Sequence, residues 1–277
     1  MARLQKQKGL LTEPPVIIMR TAQISKSFSQ FGEDHQIAAF FGSDFKGVFV
    51  DVGANDGERG SNTKLLELCG WRGYLIEPNQ RLSDACRLTR PNSVVVTKAA
   101  VSESQIGLVD LYEYRGTHSN GDDYDGLSRV GGPSELDHVA IRGGASRRVV
   151  SVTATTLDKI LEAENHQGQV DFVSIDVEGH ELDVLTGFSL EVYRPRLLLV
   201  EDNSFGINPA VQKYLRSKGY FRVHRTGVND WFVRDNDRGA FRTLFPILLF
   251  NLAKGRLTSR IIKVISWLKQ FIYLRRS

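Results

Sequence analysis

An acid at the end of an apolar run, followed by small residues, predicts a turn that holds a ligand. The run ends at Asp51, and Gly53 and Gly57 follow it. Glycine accepts a positive φ and lets a ligand approach the backbone, while an acid at a strand end can hold a charged or donor group. The spacing Gly-x-x-x-Gly differs from the Gly-x-Gly-x-x-Gly of a pyrophosphate site. The residues of this turn predicted to bind a cofactor are Asp51, Gly53, Ala54, Asn55 and Gly57.

A second apolar run ends in Glu77 and Pro78, 26 residues after Asp51. A carboxylate, which only accepts hydrogen bonds, can take both hydroxyls of a ribose at this position. Ala100, at the end of a third run, is a place where an adenine ring can pack, although ordinary core packing also suits it. Together these residues predict a nucleoside ligand without phosphates, and S-adenosylmethionine is the obvious candidate.

Polar groups follow two further apolar runs, where an acceptor would lie. Asp176 and His180 follow one run, and Asp202 and Asn203 follow the next. Methyl transfer to a hydroxyl requires that the acceptor is positioned and that its proton is removed. Asp176 and His180 are therefore the catalytic candidates, with His180 preferred as the base because imidazole ordinarily titrates near neutrality. A structural role for His180, with its ring bonded to a carboxylate such as Glu181, fits the sequence equally well.

The chain resembles the FkbM-type family of class I S-adenosylmethionine-dependent methyltransferases. The resemblance rests on the turn after Asp51, on residues 29–34 (Ser-Gln-Phe-Gly-Glu-Asp) and on residues 172–181 (Phe-Val-Ser-Ile-Asp-Val-Glu-Gly-His-Glu), and it covers about residues 28 to 234. It implies a Rossmann-like fold, S-adenosylmethionine as the methyl donor, and cofactor contacts from Gln30 and Glu33. Without the resemblance, residues 29–34 are equally typical of a helix N-terminus.

Asp176, Asp202 and Asn203 also resemble the metal-binding triad of catechol-type O-methyltransferases. Oxygen ligands suit a hard cation such as Mg²⁺, which would lower the pKa of an acceptor hydroxyl. Acids at strand ends also cap helices or bind backbone amides. The sequence leaves both roles open for these three residues.

The elements that position these groups are predicted from the hydrophobic pattern. Buried parallel strands are indicated at residues 48–50, 74–76, 94–96, 172–175 and 197–200, with helical patterns between them. Residues 220–224 and 231–234 around a turn predict an antiparallel closing hairpin. The predicted fold class is therefore α/β, with a doubly wound, mostly parallel seven-stranded sheet.

The predicted methyltransferase domain spans residues 28–236, after an N-terminal extension of residues 1–27. Within it, residues 115–148 are rich in Gly, Ser, Asp and Arg and are predicted to be mostly loop. A long irregular segment in a compact domain is usually a functional lid or disordered. A lid over the substrate is the preferred interpretation.

Residues 237–277 are predicted to form a basic amphipathic tail. Nine of the 36 Lys and Arg residues lie from Arg238 onward and no acid does, so the rest of the chain has 27 basic and 32 acidic side chains, a net charge of −5. Apolar residues recur at helical spacing from Leu257 to Ile272, and charges interrupt every span long enough to cross a bilayer. Peripheral contact with an anionic membrane and docking on protein both fit this pattern.

The expected protein is a cytoplasmic enzyme, and contact with the inner face of the membrane is one of the two roles open to its tail. Cys69 and Cys86 are too few for a disulfide framework, which favours a reducing compartment, and basic charge confined to one tail does not support a nucleic-acid partner. The expected reaction is O-methylation of a sugar or glycolipid intermediate. Alternatives are O-methylation of a soluble natural product such as a polyketide, and a cofactor-binding interaction module without turnover. The sequence leaves the oligomeric state open.

Overall fold

The apolar runs of the sequence become the strands of a central sheet. The structure, a computed structural model, describes residues 26–117, 124–132, 137–204 and 206–237. The strands are β1 Val48–Val52, β2 Arg72–Ile76, β3 Ser93–Val96, β4 Ala99–Ala100, β5 Gly107–Arg115, β6 Arg129–Val130, β7 Ser146–Thr155, β8 Phe172–Ile175, β9 Leu197–Glu201, β10 Tyr220–Thr226 and β11 Asn229–Arg234. The helices are α1 Glu33–Phe41, α2 Lys64–Leu68, α3 Gln80–Thr89, α4 Asp137–Arg142, α5 Leu157–Ala163, α6 Glu181–Thr186, α7 Leu190–Tyr193 and α8 Ala210–Ser217.

Seven strands form the main sheet in the order β10-β11-β9-β8-β1-β2-β3. Strands β3, β2, β1, β8 and β9 run parallel, whereas β11 is antiparallel to both of its neighbours. The predicted doubly wound sheet with an antiparallel closing hairpin is confirmed. Because the parallel strands end on the same side, the residues after β1, β2, β8 and β9 lie along one edge, which we call the carboxyl edge.

Helices cover both faces of the main sheet. Alternate residues of β1 face opposite ways: Val50 belongs to an apolar cluster with α5, α6 and α8, and Phe49 to a second cluster with α1, α2 and α3. Every residue of β8 and β9 is buried. A strand buried on both faces needs a continuous apolar run, which explains the absence of alternation in these segments. Each fully buried large side chain contributes about 1.5–3 kcal/mol.

A second sheet, in the order β4-β7-β5-β6, packs beside the first and was not predicted. Its main component is the antiparallel pair β5–β7, in register from Gly107 with Ala154 to Arg115 with Ser146. The expectation that residues 115–148 are mostly loop is corrected for the described part of that segment, which holds a 3-10 turn at Tyr124–Leu127, β6, α4 and the start of β7. The interpretation of this segment as a lid stays a prediction.

The predicted N-terminal extension and C-terminal tail lie largely outside the described residues. The extension of residues 1–27 is described only from Lys26, and the tail from Arg238 onward is outside the described residues. Among the described residues, each helix is too short or too polar to span a bilayer. Cys69 and Cys86 are both buried and unbonded to each other.

Candidate active site

The turn after β1 rests on a layer of buried polar side chains. Asp51 is buried and accepts a hydrogen bond of 2.6 Å from Thr63 Oγ1. Burial raises the pKa of Asp51, while the Thr63 bond and the charge of Arg90 act in the opposite direction. Asn62 donates to Ser174 Oγ on β8 at 3.1 Å. The layer therefore fastens the segment after the turn to two strands of the main sheet.

Arg90 lies at the centre of this layer and was not identified from the sequence. Its guanidinium donates to Glu67 at 2.5 Å, to Thr63 Oγ1 at 3.0 Å and to the backbone carbonyl of Gly57 at 3.0 Å. The Arg90 and Glu67 side chains are 0% and 3% exposed. Because the same arginine holds the end of the turn and the hydroxyl that bonds Asp51, it fixes the shape of the predicted cofactor site. No local sequence signal marks a pair 23 residues apart.

The glycines of the turn are required by protein contacts as well as by backbone angles. Gly53 has φ 84°, and a Cβ there would lie 1.7 Å from the carbonyl oxygen of Asp176. A Cβ on Gly57, which has φ 78°, would lie 2.8 Å from Arg90 Cγ. The space beside Gly53 was predicted to belong to the cofactor, and the structure instead fills it with the backbone after β8. The turn after β1 and the turn after β8 are thus in direct contact.

Glu77 stands directly after β2 and reaches the turn. Its two carboxylate oxygens accept 2.9 Å hydrogen bonds from the backbone N–H groups of Asn55 and Asn79. Burial, opposed by these two bonds and assisted by the charges of Asp51 and Asp125, raises the pKa of Glu77 to about 7. Each carboxylate oxygen has a second lone pair, so the side chain can still accept ribose hydroxyls. This donor and acceptor pattern fits a nucleoside ligand.

The remaining cofactor candidates near Glu77 have different surroundings. Asn55 adopts φ 52° and its backbone carbonyl accepts from Cys86 Sγ at 2.9 Å, so the turn is also tied to α3. Ala54 is buried and Pro78 is half-buried. Ala100 is buried in β4 and packs into the apolar cluster that contains Val50. Ala100 therefore has the core role that the sequence allowed as its alternative.

The segment around Asp125 lies against the cofactor turn. Asp125 forms an ion pair of 2.6 Å with Arg81 and a longer one of 3.9 Å with Arg59, which flank Glu77 and the turn respectively. The charge of Asp125 contributes to the raised pKa of Glu77. A Cβ on Gly126 would come within 3.9 Å of the Asn55 side chain. Part of the predicted lid thus lies beside the turn that was predicted to hold the cofactor.

Gln30 and Glu33 do not share one environment. Gln30 is exposed. Glu33 is fully buried, and its carboxylate accepts from the Phe31 backbone, from Thr226 Oγ1 at 3.0 Å and from Asn229 Nδ2 at 3.1 Å. Both oxygens of Glu33 are therefore bonded to the closing hairpin and to its own turn, which gives Glu33 an anchoring role, while the expected cofactor contact stays a prediction. The cause is a contact almost 200 residues away in sequence, which no local pattern reveals.

Three carboxylates converge at the ends of β8 and β9. One oxygen from each of Asp176, Glu178 and Glu201 lies within 4.8 Å of the others, and we call these residues the acidic cluster. Desolvation is the main cause of the raised pKa of all three and neighbouring carboxylates raise it further, while a side-chain hydrogen bond with Glu201 lowers the pKa of Asp176 in part. Asp176 keeps an exposed side towards solvent, whereas Glu201 is buried. The cluster is thus a strongly electronegative point on the carboxyl edge.

The acidic cluster differs from the metal triad that the sequence predicted. Asp202 turns away from it: the backbone N–H groups of Ser204 and Gly206 donate to its carboxylate at 2.9 and 2.7 Å, and Arg225 forms an ion pair with it. Partial burial raises the pKa of Asp202, but the Ser204 hydroxyl, Arg225 and the Gly206 N–H outweigh it, so the pKa is lowered. Asn203 is at the margin, where its amide donates to Glu178 at 3.3 Å. The structure therefore does not bring the predicted set of Asp176, Asp202 and Asn203 together, and the carboxylates beside Asp176 are those of Glu178 and Glu201.

His180 is held by a carboxylate other than the one predicted. Its Nδ1 lies 3.0 Å from Asp183 Oδ2, three residues further along the start of α6. Glu181 instead accepts from the backbone N–H of Gly179. A neutral ring that donates from Nδ1 leaves Nε2 as an acceptor. Nε2 faces Gly131, where a Cβ would lie 2.9 Å away. His180 therefore stands between α6 and the segment that follows β6.

A polar cleft opens beside the acidic cluster, between the end of β9 and α8. It measures about 140 Å³. Val200 and Val211 are its apolar contributors, and Glu181 and Glu201 connect it to the cluster. The polar side chains that line the rest of the cleft are those of Asp202, Asn203, Ser204, Asn208, Gln212, Arg222 and Asp230. Such a surface suits an acceptor with many hydroxyls.

Comparison with known proteins gives one sequence match and several distant structural ones. Residues 51–221, more than half of the chain, match the methyltransferase FkbM domain. No curated protein matches the chain. The O-methyltransferase from Bacillus cereus in complex with SAH is 12% identical, with 77% of this chain and 84% of that chain covered and a TM-score of 0.39. TrmK from M. capricolum in complex with SAH is 8% identical, with coverages of 90% and 97% and a TM-score of 0.38. Precorrin-6y C5,15-methyltransferase from Geobacter metallireducens is 12% identical, with coverages of 79% and 98% and a TM-score of 0.38. These structures are too distant to bear on the acceptor.

Proposed function

The chain belongs to the methyltransferase FkbM domain family, and we propose that it transfers a methyl group from S-adenosylmethionine to a hydroxyl of a sugar or of a glycolipid intermediate. The observation that carries this proposal is the order of groups along the carboxyl edge. Glu77, Asp51 and Asp176 follow one another closely enough for their charges to interact, and the polar cleft lies beyond Asp176. A nucleoside site, a chain of acids and an acceptor site are thus aligned.

S-adenosylmethionine supplies a methyl group on a sulfonium, an activated leaving group that carries positive charge. Glu77 would accept its ribose hydroxyls, and the fixed turn at residues 53–57 would hold its nucleoside part. Asp51 and Asp176 would place negative charge near the cationic part. These roles use only the carboxylates and the backbone shape of the described residues.

The acceptor class is inferred from the composition of the polar cleft. Amides at Asn208 and Gln212 and the charged pair Arg222 and Asp230, which lie 3.2 Å apart, offer donors and acceptors in several directions. Sites for apolar ligands are lined mainly by hydrophobic and aromatic side chains. In this cleft only Val200 and Val211 are apolar among the side chains that line it, so a sugar hydroxyl fits better than a polyketide.

Two groups are placed to take the acceptor proton. Asp176 lies between the turn and the cleft, and His180 presents Nε2 near Gly131 with Asp183 holding the other nitrogen. Neither of the two is among the residues that line the cleft. Asp176 would act from its position beside Glu201, which does line the cleft, and His180 would act if the segment over Nε2 moved aside.

A methyl-transfer assay tests the proposal. Radiolabelled S-adenosylmethionine would be supplied with sugar nucleotides, glycolipid extracts and apolar hydroxyl compounds. We expect label in the carbohydrate fractions, and Gln212→Leu should raise the acceptor KM while leaving the affinity for S-adenosylhomocysteine unchanged. Transfer only to apolar acceptors would contradict the sugar assignment, and cofactor binding without any transfer would favour an interaction module.

A further inference from the structure

The acidic cluster brings together three oxygens at a spacing that one ion can bridge. Oxygen ligands lie about 2.0–2.6 Å from Mg²⁺ or Ca²⁺, so two ligands of one ion are at most about 4–5 Å apart. The three carboxylate oxygens of Asp176, Glu178 and Glu201 lie within 4.8 Å of one another. The fold therefore already holds these oxygens near the distances expected between the ligands of one cation.

A second and independent observation is an unsatisfied oxygen at the base of the cluster. Glu201 is 6% exposed, its carboxyl group pairs with that of Asp176, and no N–H or O–H group of the other described residues donates to its Oε2 atom. A buried polar oxygen without a donor is costly, and native structures normally supply a donor or an ion. This observation concerns one buried atom and is separate from the number of acids in the cluster.

The charge around the cluster points the same way. Glu181 and Asp51 add further negative charge beside Asp176. Arg129 acts on Glu178 and offsets only part of it. Like charges at such distances oppose one another strongly when water is partly excluded. A bound divalent cation would turn this repulsion into attraction.

The cluster also has an open side. Asp176 is exposed, and Glu201 lines the polar cleft. A cation there would keep coordination positions for water or for a ligand in the cleft, as Mg²⁺ ordinarily does.

We propose that the acidic cluster of Asp176, Glu178 and Glu201 binds one hard divalent cation, such as Mg²⁺, Mn²⁺ or Ca²⁺. The ligand set differs from the one predicted from the sequence, because Asp202 is bound by its own turn and by Arg225. The site is a property of the chain whether or not the acceptor is a sugar. In the proposed reaction the cation would contact the acceptor hydroxyl and lower its pKa, and Asp176 would then serve as a ligand while the proton goes to another base.

Cation binding is measured directly on the full-length protein after treatment with a chelator. Isothermal titration with MgCl₂, CaCl₂ and MnCl₂, and loss of the free Mn²⁺ signal in electron paramagnetic resonance, report binding without any methyl transfer. Glu201→Gln keeps the shape of the side chain and removes one ligand charge, and we expect it to weaken binding at least tenfold. Asp202→Asn, the matched control outside the cluster, should change the affinity less than about threefold.

Several results would overturn the proposal. Absence of binding to the wild-type protein up to about 10 mM cation, well above the weakest physiological calcium sites, would remove it. Wild-type affinity in both Glu201→Gln and Glu178→Gln would move any site elsewhere. A larger loss in Asp202→Asn than in Glu201→Gln would restore the triad predicted from the sequence. Circular dichroism confirms that each variant is folded, and Glu178→Gln replaces Glu201→Gln if the buried variant fails to fold.

Discussion

Replacing Arg90 with methionine should destabilise the fold and loosen the cofactor turn together. The substitution removes the guanidinium but keeps a chain of similar length in the buried space. Glu67, which is 3% exposed, would be left as a buried charge without its partner, and the Gly57 carbonyl and the Thr63 hydroxyl would lose their donor. Removal of one partner of a buried ion pair costs about 3–5 kcal/mol. We expect a loss of this size in the free energy of unfolding.

The measurement is urea-induced unfolding, followed by fluorescence, in wild type and variants. Arg87→Met is the matched control, because Arg87 lies in the last turn of α3, directly before Arg90, and forms an exposed ion pair of 2.8 Å with Asp84. An exposed pair contributes about 0–1 kcal/mol, so this control should lose little. Adding Glu67→Gln to Arg90→Met should recover at least about 1 kcal/mol, because the unpaired charge is removed.

Affinity for S-adenosylhomocysteine, measured by titration calorimetry, separates the two consequences. Arg90→Met should weaken it at least about tenfold, equivalent to about 1.4 kcal/mol, since the turn loses its clamp. Arg87→Met should not. A loss of stability below about 1 kcal/mol in Arg90→Met, or no recovery on adding Glu67→Gln, would refute the role assigned to this network.

Four further outcomes are expected. Hydroxyls donate best to an ionised acid, so the affinity for S-adenosylhomocysteine should rise up to about tenfold from pH 6 to pH 8 as Glu77 ionises near pH 7. Glu77→Gln should bind at least about tenfold more weakly at pH 8 and lose this pH dependence. Titration calorimetry at each pH measures both effects. Gly53→Ala should lose about 1–3 kcal/mol more unfolding free energy than Gly60→Ala, because both glycines have positive φ but Gly60 has no atoms within 4 Å of a new Cβ. If His180 is the base, His180→Ala lowers kcat about 100-fold or more in a methyl-transfer assay with cofactor affinity intact, and near-normal kcat would leave it a structural role. Deletion of residues 241–277 should release the protein from acidic vesicles in a flotation assay without changing cofactor affinity, whereas loss of a dimer would show that the tail docks on protein.

The main sheet was accessible to sequence reasoning because burial on both faces leaves a strong local signal. The run at residues 172–175 coincides with β8, and the run at residues 197–200 falls one residue short of the end of β9. The turn at residues 227–228 joins the two strands of the predicted hairpin. Each of these features depends on residues that are neighbours in sequence.

The second sheet carried a weaker signal that was available but obscured. In β5 the outward positions Leu108 and Asp110 are exposed and the inward positions Leu111 and Glu113 are buried, so apolar and charged residues occur on both faces. In β7, Val150, Val152 and Ala154 alternate with polar residues, but glycine and charged residues dominate the segment before them. Polar strands of this kind become ordered through pairing with each other, which composition does not show.

The positions of the candidate site residues were predicted more accurately than their hydrogen-bond partners. Glu77 lies beside the turn as expected from the ends of neighbouring parallel strands. Arg90 and the anchoring contacts of Glu33 depend on residues that are distant in sequence, so a single chain gives no sign of them. The hydrogen bond between His180 and Asp183 joins residues three apart at the start of a helix. Side chains at this spacing lie on the same face of a helix, so the spacing favours Asp183 as the partner, whereas Glu181 was predicted.

The pairing of β5 with β7 brings together the two ends of the segment between them, which affects how that segment can change in length. Arg115 and Ser146 are direct partners, so the residues between them begin and end at the same place on the second sheet. For a loop whose ends are already held together, each doubling of its length costs only about 0.6 kcal/mol of closure entropy. Insertions between Arg115 and Ser146 that spare residues 124–132, which contact the turn after β1 and His180, would therefore leave the central sheet undisturbed. The length of this segment can therefore change without a change in the pairing of the two strands that flank it.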